Sequence, residues 1–518
     1  MVASLLRILH SGIQNTRLMP PAKQPRITMY TKVFTRAGRF TTQFVRLDFD
    51  TKPTFGTAAT LTIPRKGHLV SRLFLVTTMP DIKTQQIRAQ TRCDVSGLTF
   101  LGPKFGWTNS LGHALLTEAA IEIGGSRMER LDGRLLEVLD EFYTPLEKVT
   151  LMNDLLPRKQ NGFKVGVLGG LEDTENLFTT AVTPLPFWFS CGDPGAFLPI
   201  DAIQADATVL KVTFAPLANT YVSSQQRTPT QPNASVPGDS YVPIVNSPFY
   251  SAGGTTLVYG LTGNPTVGVN ATVVPNIRMP ETLQLGDTYI LAEYVYLDKP
   301  EANRFRISDL QIPIPQHYPF DPVDTQTLPT IQIPLKVPNP TRNLFFYFQR
   351  FEAARYNAPF LATRDISGAG TGVPWWPDAS GLNTMELGDL APAFSTRDSE
   401  PIQSVQLIYE GRLVRYYSES PSIFRSLLPS FEMRKSPWVN RYYYTLAFGL
   451  AHGLLPPSVP SGEANLDKIL SIDLQFSLTP NTGSINPNAV QRYFVYVWAE
   501  TYNILRVYGG RAGLMFAY

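Results

Sequence analysis

AAIEIGGSRMERLDGRLLEVLDEF, residues 119–142, alternates apolar and polar positions as far as Ile123, turns at Gly124-Gly125, continues as a second short strand and then changes period. From Asp132 onward Leu135, Leu136 and Leu139 fall on one helical stripe, and Asp132 stands where a side-chain acceptor caps a helix. The unit is therefore strand, glycine turn, strand, short helix. It recurs where Leu407-Ile408-Tyr409-Glu410-Gly411 leads into a strand and then SPSIFRSLL. There Ser420 is the cap, Pro421 the first helical residue, and Ile423, Phe424, Leu427 and Leu428 the stripe.

Other matches keep the same chain order, as an internal repeat requires. Ile63-Pro64, followed by Arg72 and LFLV, pairs with Ile333-Pro334, Arg342 and LFFYF, an offset of 270. Gly125 to Gly411 is an offset of 286, Val212-Thr213-Phe214 to Leu474-Gln475-Phe476 one of 262, and YILAE from Tyr289 to YVWAE from Tyr496 one of 207. Short apolar strands resemble one another by chance, but four matches in one order point to a tandem duplication with its boundary near Asp298 to Arg304. The fall in offset locates an insertion. Phe214 to Tyr289 spans 75 residues and Phe476 to Tyr496 spans 20, so the first copy carries 55 extra, rich in Ser, Thr, Pro, Gly and Asn. That composition reads as a surface loop with an added hairpin around TTLVYG and NATVV.

The strand signals QFVRLDFD, TLTIP, EAAIEIGG, TVLKVTF and SVQLIYEG, against only two short helices, predict an all-β chain. Parallel α/β folds need a crossover, usually a helix, between successive strands. Two tandem jelly-roll β-sandwich domains, with short helices in the loops, are the expected fold class. The expected division is an N-terminal arm 1–30, a first jelly roll 31–300 with the insertion at about 217–285, and a second jelly roll 301–518.

The chain's 518 residues suffice for a large core, so neither a disulfide framework nor a structural metal is needed. Charged residues are 17% of the chain, against about 25% in an average soluble domain, and 45 basic against 42 acidic residues leave only +3. Nucleic-acid binding by charge is not expected. His10, His68, His113, His317 and His452 show no metal-ligand spacing, and Cys93 and Cys191 lack redox spacing and read as structural thiols. No cofactor and no catalytic residue are expected. The run Gly368 to Gly372 lacks the G-K-[ST] ending of a phosphate loop. Asp140 and Glu141 are the residue types of a glycosidase acid and base, but sequence does not set their separation.

Four further features carry weaker signals. VASLLRILHSGI near the N-terminus reads as a short amphipathic helix docked on protein, with a lipid surface as the alternative, and not as a secretory signal peptide. Arg65-Lys66-Gly67-His68 reads as a solvated turn or a subunit contact. RYYYTLAFGL from Arg441 reads as core or interface rather than a base-stacking surface. Asn233 and Asn270 head N-glycosylation acceptor tripeptides inside the insertion.

PRITMYTKVFTRAGRF from Pro25, FGTAATLTIPRKGHLVSRLFLVTTMP from Phe55 and GWTNSLGHALLTEAAIEIGGSRMERLDGRLLEVLDEF from Gly106 resemble successive signatures of one family. It is that of the major capsid proteins of nucleocytoplasmic large DNA viruses. PLPFWFSCGDPGAFLPIDAIQ from Pro184, YVYLDKPEANRF from Tyr294, PSGEANLDKI from Pro460 and YNILRVYGGRAGLMF from Tyr502 continue it. Residues 1–24 replace the family's glycine-rich opening, Lys-Pro-Glu-Ala-Asn follows Asp298, and Leu466-Asp467 stands where the family has serine-arginine.

The resemblance implies a double jelly-roll protein of the virion, assembled in the host cytoplasm or viral factory as a homotrimer of nearly hexagonal outline that tiles an icosahedral shell. Its implied partners are copies of itself, neighbouring capsomers, and minor capsid and penton proteins. The internal viral membrane would be met through the N-terminal arm. Rival readings are a minor double jelly-roll component of the same shell and a carbohydrate-binding or glycosidase β-sandwich protein.

Overall fold

The computed structural model describes residues 39–80, 104–108, 110–158, 180–226, 241–244, 283–326, 328–351, 359–360, 362, 400–411, 413–437, 441–450, 453–454, 461–480, 490 and 492–516. The first copy contains β1 (Phe40–Asp48), β2 (Ala58–Thr62), β3 (Leu69–Thr78), β4 (Lys104–Trp107), β5 (Leu116–Ile123) and β6 (Ser126–Leu131). It continues with β7 (Thr180–Leu185), β8 (Thr208–Phe214), β9 (Tyr221–Gln226), β10 (Tyr241–Ile244) and β11 (Thr288–Leu297). The second contains β12 (Leu310–Pro319), β13 (Val323–Asp324), β14 (Thr330–Pro334), β15 (Thr341–Arg350) and β16 (Ile402–Tyr409). After these come β17 (Leu413–Glu419), β18 (Tyr443–Ala447), β19 (Ile472–Leu478), β20 (Tyr493–Tyr508) and β21 (Arg511–Leu514).

Strand order makes the duplication explicit. One sheet of the first copy runs β1-β11-β3-β7 and the other β2-β8-β5-β6, while the second copy repeats both as β12-β20-β15-β18 and β14-β19-β16-β17. The pairings are antiparallel, and among the eight strands that make up these two sheets in each copy consecutive ones alternate between them except where β5 and β6, or β16 and β17, form a hairpin; β13 and β21 add to β20. Each copy is thus an eight-stranded jelly roll, and the chain is a double jelly roll. The turns match as well as the strands. Gly124 and Gly125 adopt φ of 59° and 81°, and Glu410 and Gly411 adopt 51° and 67°, so the second copy holds a glutamate in a left-handed position its first copy gives to glycine.

The strands alternate because each sheet buries one face in its own sandwich. Ile290, Ala292 and Tyr294 on β11 and Leu210 and Val212 on β8 are buried in the first copy. In the second, Phe346 stacks on Tyr444 with ring centroids 5.2 Å apart, and Phe348 and Phe476 meet edge-on at 5.0 Å. RYYYTLAFGL supplies this core, since every residue of β18 is buried. By contrast β1 is exposed at seven of nine positions, unlike the half-buried strand its alternation predicts.

Helices outnumber the two expected. The expected pair are α2 (Gly133–Tyr143) and, in the second copy, a π-helical turn, Ile423–Leu427, continued by α5 (Leu428–Glu432). The additional ones are α1 (Leu111–Ala114), α3 (Val149–Leu155) and α4 (Lys299–Ile307). α4 escapes an apolar-stripe search because it buries only Ala302; its signals are the Asp298 cap, accepting from Lys299 N at 2.9 Å, and a proline in the first turn. The insertion's described part also differs from expectation, for β9 pairs with both β10 and β4 in a small separate sheet. The hairpin expected around TTLVYG and NATVV lies outside the described residues, as do residues 1–30, Gly368 to Gly372, Asn233, Asn270, Cys93, His10 and His452.

Candidate assembly interface

α2 leaves its own sandwich and lies against the sheet β12-β20-β15-β18 of the second copy. Asp132 Oδ1 caps it, accepting from Arg134 N and Leu135 N at 2.9 Å each, while its Oδ2 accepts from Trp498 Nε1 at 3.0 Å. One carboxylate therefore starts the helix and ties it to the other half. Gly133 is needed at this first turn, because a Cβ there would lie 2.2 Å from His113 O. Farther along, Phe142 packs on Phe345 at 5.7 Å between ring centroids, the Arg134 guanidinium lies 4.6 Å from the Tyr496 ring centre, and Tyr143 donates to Glu500 Oε2 at 2.9 Å.

The other side of α2 is charged, yet buried. Arg158 donates to Glu137 Oε2 at 2.6 Å, to Asp140 Oδ2 at 2.5 Å and to Ser110 Oγ at 2.8 Å; His113 Nδ1 stands 2.7 Å from Glu137 Oε2. From the second copy Arg441 reaches Glu137 at 3.1 Å, and Lys435 Nζ donates to Glu141 at 3.1 Å. Three carboxylates thus meet three permanent cations, two of them from the opposite half. Burial alone would raise the Glu137 and Asp140 pKa values, but Arg158 acts on both, joined by Arg441 and His113 on Glu137, and holds them below the ordinary carboxylate range. Asp140 and Glu141, the pair considered for glycosidase chemistry, are consumed by this ion cluster.

A second polar contact crosses the seam at β6 and β12. Gln316 Nε2 donates to Met128 O, and His317 Nδ1 lies 2.9 Å from Glu129 Oε1, whose other oxygen accepts from Trp188 N at 3.1 Å. Burial pushes the Glu129 pKa up against the opposing effect of His317. Burial pushes His317 down, but its bond to Glu129 more than restores it. At the far end Ala205 N donates to Gly510 O at 2.8 Å, and Ala512 N to Asp206 Oδ2 at 3.2 Å, placing the β20-β21 hairpin against the loop before β8.

The remaining sequence candidates are placed as follows. In the Arg65 to His68 turn, Arg65 donates to Gln204 O at 2.6 Å and Leu297 N donates to His68 Nδ1 at 2.9 Å, so the turn is largely folded onto its own chain. Cys191 has an exposed outer surface, but its Sγ faces Phe187 O at 4.0 Å and burial, with Glu129 and Glu500 nearby, pushes the thiol up to about 12. Among the described residues no group of three His, Cys, Asp or Glu is placed to hold a metal ion, and no helix is long and apolar enough to cross a membrane. The cross-copy ion cluster went unread in the sequence. Its available signal was Glu137 and Glu141 four apart on one helix, like charges that destabilise a solvated helix and imply cations from elsewhere.

Comparison with known proteins gives concordant results. The family described as "Major capsid protein N-terminus" matches residues 28–251, and "Large eukaryotic DNA virus major capsid protein" matches residues 306–513. Probable capsid protein 4 of Acanthamoeba polyphaga mimivirus is 24% identical over 214 residues, 41% of this chain but only 38% of that protein. The major capsid protein of Frog virus 3 is 20% identical over 478 residues, covering 89% of this chain and 86% of the relative. Among solved structures VP54 of the virus PBCV-1 superposes with a TM-score of 0.62 at 17% identity, covering 95% of this chain and all of the other, a likeness of fold.

Proposed function

This chain belongs to the family of large eukaryotic DNA virus major capsid proteins, and on that premise we propose that it is the principal building block of an icosahedral shell, working as a homotrimer. It is a structural protein rather than an enzyme. The observation that carries the trimeric reading is the repetition of one strand order in both halves. Three chains then contribute six similar sandwiches, so a threefold object takes a nearly hexagonal outline and can tile flat facets through its flanks. Obligate contacts of this kind are large and apolar, which suits the low charge content.

In this reading the chain divides into an arm, 1–30, and jelly rolls 31–300 and 301–518, with the insertion at about 217–285 on the outer face. The arm turns inward, toward minor capsid and penton proteins or the internal membrane, and Asn233 and Asn270 are positions for glycans on the exterior. The protein resides in the virion after assembly in the host cytoplasm or viral factory. Quantitative mass spectrometry of purified virions tests the role: the chain is expected among the most abundant proteins by copy number. A handful of copies per particle would make it a minor component instead.

A further inference from the structure

The two polar contacts across the seam differ in how their charges balance. In the α2 cluster three carboxylates meet three permanent cations, so the balance needs no proton on His113. The contact between β6 and β12 is built otherwise. His317 Nδ1 stands 2.9 Å from Glu129 Oε1, and the two side chains are 6% and 0% exposed. Glu500 on β20 lies opposite His317 in the strand register, and Arg342 on β15 donates to Glu500 Oε1 at 3.1 Å, its guanidinium 5.5 Å from the Tyr502 ring centre. Tyr143 of α2 donates to the other oxygen of Glu500. The loop after β7 brings up Trp188 N, held by Glu129, and the Cys191 thiol; Asp193, farther out, caps the turn Pro194–Ala196. Burial keeps the Tyr143 hydroxyl and the Cys191 thiol in their neutral forms.

The charged groups that bear on His317 are therefore two buried carboxylates, Glu129 and Glu500, and one permanent cation, Arg342. With the imidazole they are neutral as a set when His317 carries a proton, and hold one excess negative charge when it does not. Such a charge is costly where water is excluded. The repeat shows that the strand itself does not require the imidazole. β1 is the counterpart of β12: Phe44 stands opposite Glu293 as His317 stands opposite Glu500, and Arg72 lies 3.5 Å from Glu293 as Arg342 lies 3.1 Å from Glu500. The Arg–Glu pair is common to both copies. His317 and, from across the seam, Glu129 are added to it in the second.

We propose that the Glu129–His317 contact is a proton-dependent latch between the two sandwiches, closed while the imidazole is protonated and loosened when the proton passes to solvent and leaves a buried carboxylate without its counter-charge. The direction of titration agrees with the geometry. Burial lowers the His317 pKa, but Glu129 and Glu500 outweigh burial and Arg342, and the net displacement is upward; burial raises that of Glu129. A group whose pKa is higher in the folded chain stabilises it fully below the unfolded value, about 6.5 for histidine. That stabilisation is lost as pH rises through the folded value. The latch thus weakens in alkaline solution, opposite to the α2 cluster, whose carboxylates lose their contribution in acid. Between them the two contacts bracket the pH range in which the seam is fully closed.

The unfolding midpoint of the full chain, followed from pH 6 to pH 9, tests the latch. The parent is expected to lose about 2–4 °C over that interval. His317→Gln keeps a donor toward Glu129 but cannot take a proton, and Glu129→Gln removes the charge that the proton balances, so both are expected to lose the alkaline fall. Glu137→Gln is expected to keep it. Should either seam variant fail to fold, hydrogen exchange of the parent, corrected for the intrinsic pH dependence of amide exchange, reads the same event: β6 and β12 are expected to lose protection on alkalinisation while β16 and β19 keep theirs. A flat parent midpoint over the interval, a fall of equal size in His317→Gln, or loss of protection spread evenly over both sandwiches overturns the proposal.

Discussion

Replacing Arg441 with methionine is expected to destabilise the folded chain by about 3–5 kcal/mol, the usual effect of removing one partner from a buried ion pair. The side chain it leaves behind is Glu137, fully buried and 3.1 Å from the missing guanidinium, with Glu141 close by. Arg158 and His113 remain on Glu137, but Arg158 already holds Asp140, and three carboxylates then face two cations. Adding Glu137→Gln to Arg441→Met is expected to recover part of the loss, because the orphaned charge goes with it; a denaturant-unfolding cycle over the four chains reads the coupling. The same cluster fixes an acid limb. Glu137 and Asp140 have folded pKa values below their ordinary 4.5 and 3.8. Their contribution is complete above those values and is lost as pH falls below them. The unfolding midpoint should therefore drop with acidification, and drop less steeply in Glu137→Gln.

Trp498→Ala is the second large effect expected, about 3–5 kcal/mol for a buried tryptophan. Trp498 is buried at the seam, lies in register with Phe345, and stacks on Tyr496 with ring centroids 6.0 Å apart. Its indole N–H also holds the free oxygen of the α2 cap. Alanine leaves a cavity between the two halves and frees the Asp132 carboxylate from its cross-seam bond. Trp498→Phe keeps most of the apolar contact and loses the hydrogen bond, so it should cost about 1–3 kcal/mol. Protease sensitivity at the linker around α4 distinguishes seam opening from general unfolding: Trp498→Ala should be cleaved there sooner than a core substitution of equal cost in either sandwich.

Much of this architecture was legible because it is local. Alternation identified β2, β5, β8 and β16, and the paired turns at Gly124-Gly125 and Glu410-Gly411 exposed the duplication. The helices divided by kind. α2 announced itself through Asp132 and a leucine stripe, whereas α4 has caps but almost nothing to bury. In the second copy Pro429 lacks the N–H that a regular helix would use, and the preceding turn is π-helical, so the stripe read from SPSIFRSLL marks a helix of broken period. The seam was not legible. Lys435 and Glu141 are 294 positions apart, and no spacing rule joins them. Asp140 and Glu141 were weighed only as a glycosidase acid and base, whose separation the sequence does not set, yet they are buried in α2 between the two sandwiches.

As proposed above, three copies of this chain, each a pair of similar sandwiches, join into one building block of the shell. Light scattering coupled to size exclusion, on purified protein over a range of concentrations, measures this most directly. The expected result is a stable species of three times 57.6 kDa. A monomer at all concentrations, or a closed dimer, would contradict the account.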